Sequence, residues 1–289
     1  LTEDRAALGR RLFYDTQLSR TREIACASCH VQERGFADPS PVSTGVEGRR
    51  GTRNAPSLVN LAWSKSFFWD GRAPTLEDQA GQPIENPVEM DLALDEAVRR
   101  LAADDSYQRA FFVAYGSPPT PETVRKALAS FVRTLVSSGS PYDRHLMGDD
   151  AGYPAAAARG EALFFGEKGE CFHCHVVGRL TNEGFFNNGS FEEGGDPGRK
   201  AITGRSGDLG KFKVPGLRNV AVSAPYMHDG SLATLRDVLR QYEAGGRGHP
   251  STDPQVRPLV LTAAQVDDLL TFLEALTDDA FLVDARFQP

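Results

Sequence analysis

The sequence predicts an all-α protein built as two tandem domains of one kind, and three observations carry that expectation. The pattern Cys-x-x-Cys-His occurs twice, as CASCH (26–30) and CFHCH (171–175), and uses all four cysteines of the 289-residue chain. A similar helix-forming segment precedes each copy, ALGRRLF (7–13) and ARGEALF (158–164). An amphipathic helix then closes each half, TPETVRKALASFVRTL (120–135) and TAAQVDDLLTFLEAL (262–276). Val124, Leu128, Phe131, Val132 and Leu135 lie at helical spacing in the first, as do Val266, Leu269, Leu270, Leu273 and Leu276 in the second.

At the Cys-x-x-Cys-His spacing two thiols can add to the vinyl groups of a haem while the next His binds its iron. Cys26, Cys29, Cys171 and Cys174 are therefore expected as thioether anchors, with His30 and His175 as proximal ligands. A zinc knuckle or a redox dithiol is the competing reading, and two complete copies with no cysteine left over favour covalent haem. No thiol remains for a disulfide. One helix before a haem motif and a closing helix packed near it is the plan of a class I cytochrome c, so two such domains in tandem are expected, each with one haem c. The boundary is expected at 150/151, giving domains 1–150 and 151–289, with the tail packing back on the first.

Between motif and closing helix, PSLVNLAWSKSFFWDG (56–71) aligns without a gap with PGLRNVAVSAPYMHDG (215–230), at an offset of 159 residues. Each continues into a Thr-Leu helix start, Thr75-Leu76 and Thr234-Leu235. The segment 95–116 reads as an extra helical stretch of the first half alone. Residues 137–154, rich in Gly, Ser, Asp and Pro, read as a linker. Strand is expected only as short hairpins within 176–214.

With 40% hydrophobic and 25% charged residues the composition is that of an ordinary soluble globular protein. No apolar run has the length of a membrane helix, and no secretory leader opens the chain. Because c-type haem is normally attached after export, a periplasmic location is expected, with the signal peptide absent from this chain. A net charge of −7 argues against nucleic acid as a partner.

Where the halves differ, the offset pairs Pro83 with Tyr242, Gln79 with Val238, Trp69 with His228 and Glu89 with Gly248. If these segments pass over the distal haem faces, the second haem is offered a phenol oxygen while the first is offered Pro83, which cannot ligate. The first iron would stay open, with Gln79 and Glu89 supplying an amide and a carboxylate. An open ferric haem beside an acid/base group suits peroxide chemistry, since the carboxylate can move a proton from the near oxygen of hydrogen peroxide to the leaving one. Other ligands compete: Met90 follows His30 by 60 residues, Met227 follows His175 by 52, and His249 competes with Tyr242.

Together these residues resemble the bacterial diheme cytochrome c peroxidase and MauG superfamily across nearly the whole chain. The specific signatures are the two CxxCH motifs, RNAPSLVN (53–60), FFWDGRAPTLEDQA (67–80), PIENPVEM (83–90), KVPGLRNVAVSAPYMHDG (213–230) and ATLRDVL (233–239). The resemblance implies that Trp69 is an electron bridge between the haems and that Gln79 and Glu89 line the distal pocket of the first. It also implies a calcium ion held by the Asn54 side chain and the carbonyls of Ser223 and Pro225. The peroxidase branch usually carries a distal His in a loop reading GHxGxxGxRNAP, where this chain has Val46, and an axial Met where this chain has Tyr242. Both departures match MauG-like members, whose second haem is His/Tyr ligated.

The resemblance therefore implies an enzyme that uses hydrogen peroxide to reach a high-valent diheme state and oxidises tryptophan in a partner protein from a distance. The alternative is a peroxidase that draws electrons from a small c-type cytochrome; a plain diheme electron carrier is a third reading. MauG has an aromatic relay just before its second CxxCH, where this chain has Lys168-Gly169-Glu170. Trp63, Tyr226, Phe172 and Tyr153 are the aromatic residues that could offer another route.

Overall fold

The computed structural model describes residues 1–289 and is mainly helical, with two compact units. The first comprises Leu1–Phe67, Ala73–Val136 and Asp284–Pro289; the second comprises Phe68–Arg72 and Ser137–Val283.

In the first unit the helices are α1 (Glu3–Phe13), α2 (Leu76–Glu85), α3 (Leu94–Ala102), α4 (Asp105–Tyr115) and α5 (Pro121–Thr134). The opening and closing helices α1 and α5 cross at Gly9, where a Cβ would sit 1.9 Å from the Ala127 carbonyl oxygen. Only glycine allows that approach. Phe13 and Phe131 then meet with ring centroids 5.1 Å apart. The extra segment is two helices and not one, because the Asp104 side chain accepts from the backbone N–H groups of Ser106 and Tyr107 and caps a new start. The tail is fixed by Tyr14 Oη, which donates to the Phe287 carbonyl at 2.7 Å, and by Gln32 Nε2, which donates to Asp284 O at 2.9 Å.

The second unit holds α6 (Pro141–Leu146), α7 (Ala155–Phe164), α8 (Lys200–Thr203), α9 (Leu235–Glu243), α10 (Ala263–Glu274) and α11 (Asp279–Leu282). Its one antiparallel pair, β1 (Phe185–Phe186) and β2 (Phe212–Lys213), lies inside the loop where short hairpins were expected. The first unit's crossing is repeated. A Cβ on Gly160 of α7 would lie 2.0 Å from Asp268 O of α10, and Phe164 meets Phe272 at 5.1 Å. Thr75 and Thr234 cap α2 and α9 through the N–H groups of Asp78 and Asp237. The repeat read from sequence is thus a repeat of packing.

Residues 137–150, expected to end the first domain and begin a linker, belong to the second unit. Tyr142 is fully buried, its ring 5.4 Å from Phe272, and its N–H donates to Ala275 O at 3.1 Å. Asp143, also buried, pairs with Arg218. Gly, Ser and Pro mark turns but say nothing about a buried aromatic among them. Phe68–Arg72 likewise groups with the second unit, since Lys213 N donates to Trp69 O at 2.7 Å and Arg199 Nη1 donates to Asp70 O at 3.0 Å.

Candidate functional site

Each Cys-x-x-Cys-His begins as a single 3-10 turn, Cys26–Ser28 and Cys171–His173, so both cysteines and the following His come from one tight bend. His30 N–H donates to Cys26 O at 3.0 Å, and His175 N–H donates to Cys171 O at 2.9 Å. His30 Nδ1 lies 2.7 Å from Phe36 O, and His175 Nδ1 lies 2.8 Å from Leu180 O. A carbonyl only accepts, so Nδ1 carries the proton in both rings and Nε2 keeps its lone pair for a metal. Burial lowers the pKa of both imidazoles, His175 to about 4, which holds them in the neutral form that ligates. The four thiols form no disulfide. This donor set fits covalent haem in both units.

In the first unit the residues expected at the distal face come from α2 and the loop after it. Gln79 and Pro83 lie one turn apart on α2. The loop folds back on that helix, with Met90 N–H donating to Pro83 O at 3.2 Å and Leu92 N–H to Ile84 O at 2.8 Å. This return brings Glu89 toward the haem motif. Cys26 is pushed up to about 12 and Cys29 to about 11, chiefly by burial, with the Glu89 charge a smaller contributor at each. Asn86 Nδ2 donates to Glu89 Oε1 at 2.6 Å and orients the carboxylate. Met90 is buried.

Val46 is fully buried, and its N–H donates to Glu89 O at 2.8 Å. Gly45 makes this possible, since a Cβ there would stand 2.3 Å from the carbonyl oxygens of both Val88 and Glu89. A charged quartet ties the two loops together at their rim: Arg20 and Arg49 each pair with Glu47 (2.9 and 2.6 Å) and with Asp91 (2.9 and 3.0 Å). Sequence reasoning singled out neither Asn86 nor this quartet. The signal available for Asn86 was its place three residues before Glu89; the quartet joins residues up to 71 apart and left none.

In the second unit Tyr242, on α9, is pushed up to about 12 by burial, against a hydrogen bond that lowers it, with Cys174 and Cys171 as further contributors. The hydrogen bond is from Asn188, whose Nδ2 lies 3.4 Å from Tyr242 Oη and 3.2 Å from Met227 Sδ. Ser190 fixes that amide by donating to Asn188 Oδ1 from its N–H (3.2 Å) and its hydroxyl (2.6 Å). The structure thus puts the phenol and the Met227 thioether on one donor. His249 is engaged elsewhere, with Nδ1 2.8 Å from Ser251 Oγ and Nε2 3.2 Å from Glu193 Oε2. Asn188 sits in a loop with no repeat counterpart in the aligned blocks, which is why the pairing of halves could not find it.

Trp69 lies in the second unit with its carbonyl bound to Lys213 N, while Phe212 stacks on His228, the repeat partner of Trp69, at 3.7 Å. Asn54, in the first unit, is buried and donates from Nδ2 to Ser40 O at 2.9 Å. Ser223 and Pro225 lie in the second unit, just before Tyr226. No group of three or more His, Cys, Asp or Glu side chains is placed to hold a metal ion. No helix is long and apolar enough to cross a membrane.

A family model described as di-haem cytochrome c peroxidase matches residues 3–151. Among curated proteins, the methylamine utilization protein MauG of Methylorubrum extorquens is 40% identical over 280 residues, covering 96% of this chain and 79% of that protein. The cytochrome c peroxidase Ccp of Escherichia coli is 36% identical over 94% of this chain, which spans 58% of that protein. A solved MauG-like protein associated with microbial copper homeostasis superposes with a TM-score of 0.94 at 36% identity, covering 100% of this chain and 93% of that one. The relatives divide between MauG and cytochrome c peroxidases, and the chain belongs to this di-haem cytochrome c peroxidase and MauG family of oxidoreductases.

Proposed function

We propose that the chain is a MauG-like enzyme that uses hydrogen peroxide to oxidise tryptophan side chains of a partner protein without admitting them to a pocket. The observation that carries this reading is Tyr242, its phenol beside the Cys171 and Cys174 pair and its oxygen on Asn188. When bound, the haems supply the redox centre that takes both oxidising equivalents from peroxide.

The chain's own residues do the rest. His30 and His175 would each hold one haem iron through the Nε2 lone pair, and Tyr242 would supply a phenol oxygen to the second. Pro83 offers no donor atom, and Val46 is apolar and buried, so neither closes the first. Glu89, oriented by Asn86, takes the proton from the near oxygen of peroxide and returns it to the leaving oxygen, with Gln79 as an amide partner on the same side. Trp69 serves as the bridge for electrons between the haem sites. An anionic phenol oxygen favours the higher iron oxidation states, which suits stored oxidising power better than a ferrous relay.

Calcium on oxygen donors, the Asn54 side chain among them, and a periplasmic location belong to the same reading.

Met227 favours a second reading. Its sulfur shares the Asn188 amide with Tyr242, and a thioether ligand would fit a peroxidase supplied with electrons by a small cytochrome c. The test is to incubate the diheme protein and peroxide with proteins encoded beside it and to map peptides by mass spectrometry. A covalent mass change on a tryptophan is expected. Rapid turnover with reduced cytochrome c and no modified tryptophan would replace this reading with the second.

A further inference from the structure

The second unit contains a tyrosine arranged to lose an electron and a proton together, and none of the site residues above accounts for it. Tyr153 is partly exposed just before α7, and its hydroxyl donates to Glu161 Oε2 at 2.8 Å. The His145 imidazole stacks on its ring at 4.3 Å and 13°. His145 is itself held at both nitrogens, by Asp150 at Nδ1 and by Glu161 Oε2 at 3.4 Å from Nε2. The Glu161 carboxylate is thus shared by the Tyr153 phenol and the His145 imidazole.

On the inner side Tyr153 packs against the buried cluster that contains Tyr142, Phe164 and Phe272. The Phe164 ring lies 6.2 Å from the His175 imidazole and 5.1 Å from Phe272, and Tyr142 lies 5.4 Å from Phe272. Packed rings therefore run from the His175 imidazole into the buried cluster of the second unit, and Tyr153 packs on that same cluster. Tyr142 differs from Tyr153 in one decisive respect: its buried hydroxyl has no hydrogen-bond partner. A phenol that loses an electron must also lose its proton to become a neutral radical. The Tyr142 hydroxyl donates to no acceptor, whereas the Tyr153 hydroxyl already donates to Glu161.

We propose that Tyr153 is a redox relay that carries oxidising equivalents from the second haem site to the surface, with Glu161 as its proton acceptor. This rests on the reading that peroxide supplies those equivalents. In each step one electron leaves the Tyr153 phenol for the oxidised haem centre, the O–H bond breaks, and the proton passes to Glu161 Oε2. An electron-rich aromatic side chain of the partner then returns an electron to the radical, and the proton goes back to the phenol oxygen. Two such cycles supply the two electrons that reduce one peroxide to two waters, and the two protons this needs are released by the oxidised partner side chain or taken from solvent. Burial and the Glu161 charge raise the Tyr153 pKa, so the phenol carries its proton until it is oxidised.

The experiment mixes the diheme enzyme with peroxide in the presence of a nitroso spin trap, maps the adduct by peptide mass spectrometry, and records freeze-quenched electron paramagnetic resonance in parallel. An adduct on Tyr153 with a tyrosyl signal near g = 2 is expected, lost in Tyr153→Phe and at least tenfold weaker in Glu161→Gln. Haem content and resting absorption spectra of the same samples report that each variant is folded. Adducts on other residues only, or an unchanged signal in Tyr153→Phe, would overturn the relay while the peroxide reading stands. Haem spectra that do not respond to peroxide at all would overturn both.

Discussion

The amide of Asn188 donates to the Tyr242 oxygen at 3.4 Å and to the Met227 sulfur at 3.2 Å, and Ser190 holds it in that orientation. One side chain therefore positions both candidate ligands of the second haem. The donor favours negative charge on the phenol oxygen and occupies the thioether sulfur. Asn188→Leu, of similar volume but without the donor, should shift the low-spin haem's g-values and change its reduction potential. Removing Met227 as well, in Asn188→Leu/Met227→Leu, separates loss of the donor from capture of the iron by sulfur. Spectra and potentials identical to the parent in both variants would show that Asn188 plays no part.

Glu89 is oriented by Asn86 and reaches electrostatically to both Cys26 and Cys29. Its proposed task is to move a proton, so Glu89→Gln should leave both haem spectra nearly intact and slow the reaction with peroxide by ~10²–10⁴, the usual range for general acid/base assistance. Stopped-flow mixing measures this directly. A rate within twofold of the parent removes Glu89 from the mechanism.

The helix that carries Gln79 and Pro83 is tied to α5 by a two-pronged ion pair, Arg133 Nη1 to Glu77 Oε1 at 2.7 Å and Nη2 to Oε2 at 2.9 Å. The Arg133 hydrogen bonds hold the Glu77 carboxyl below its ordinary pKa. A lowered carboxylate pKa stabilises the fold above the unfolded value, about 4.3, and that contribution disappears as pH falls through the folded value. With both side chains about a third exposed, the pair is worth about 1 kcal/mol at neutral pH. Chemical denaturation of Glu77→Gln should show that deficit at pH 7 and a closing gap below about pH 4. A gap independent of pH would assign the effect to packing.

The parts of the fold legible in the sequence were those written twice. Motif, opening helix, Thr-Leu start and closing helix each recur, and the structure repeats them down to Gly9 and Gly160 at the helix crossings. The failures came where one half acts alone. The Gly/Ser/Pro stretch at 137–154 hid α6, whose place depends on Tyr142 reaching Phe272 and Asp143 reaching Arg218, contacts that no local pattern announces. The pairing of Pro83 with Tyr242 led to the proposed site, yet it gave no sign of Asn86 and Asn188, which hydrogen-bond to Glu89 and Tyr242. Short polar side chains in loops look like turn residues until their partners are known. Met90, Met227 and His249 remained open by spacing alone, and for His249 hydrogen bonds at both nitrogens now point away from ligation.

The proposed function requires one asymmetry: an iron that would be left open beside Pro83, Val46 and Glu89, and an iron that would be closed by Tyr242. Electron paramagnetic resonance of the resting, fully oxidised protein tests it most directly. One high-spin and one low-spin ferric signal are expected, with the low-spin signal alone altered by Tyr242→Phe. Two low-spin signals in the resting protein, or a low-spin signal untouched by Tyr242→Phe, would contradict it.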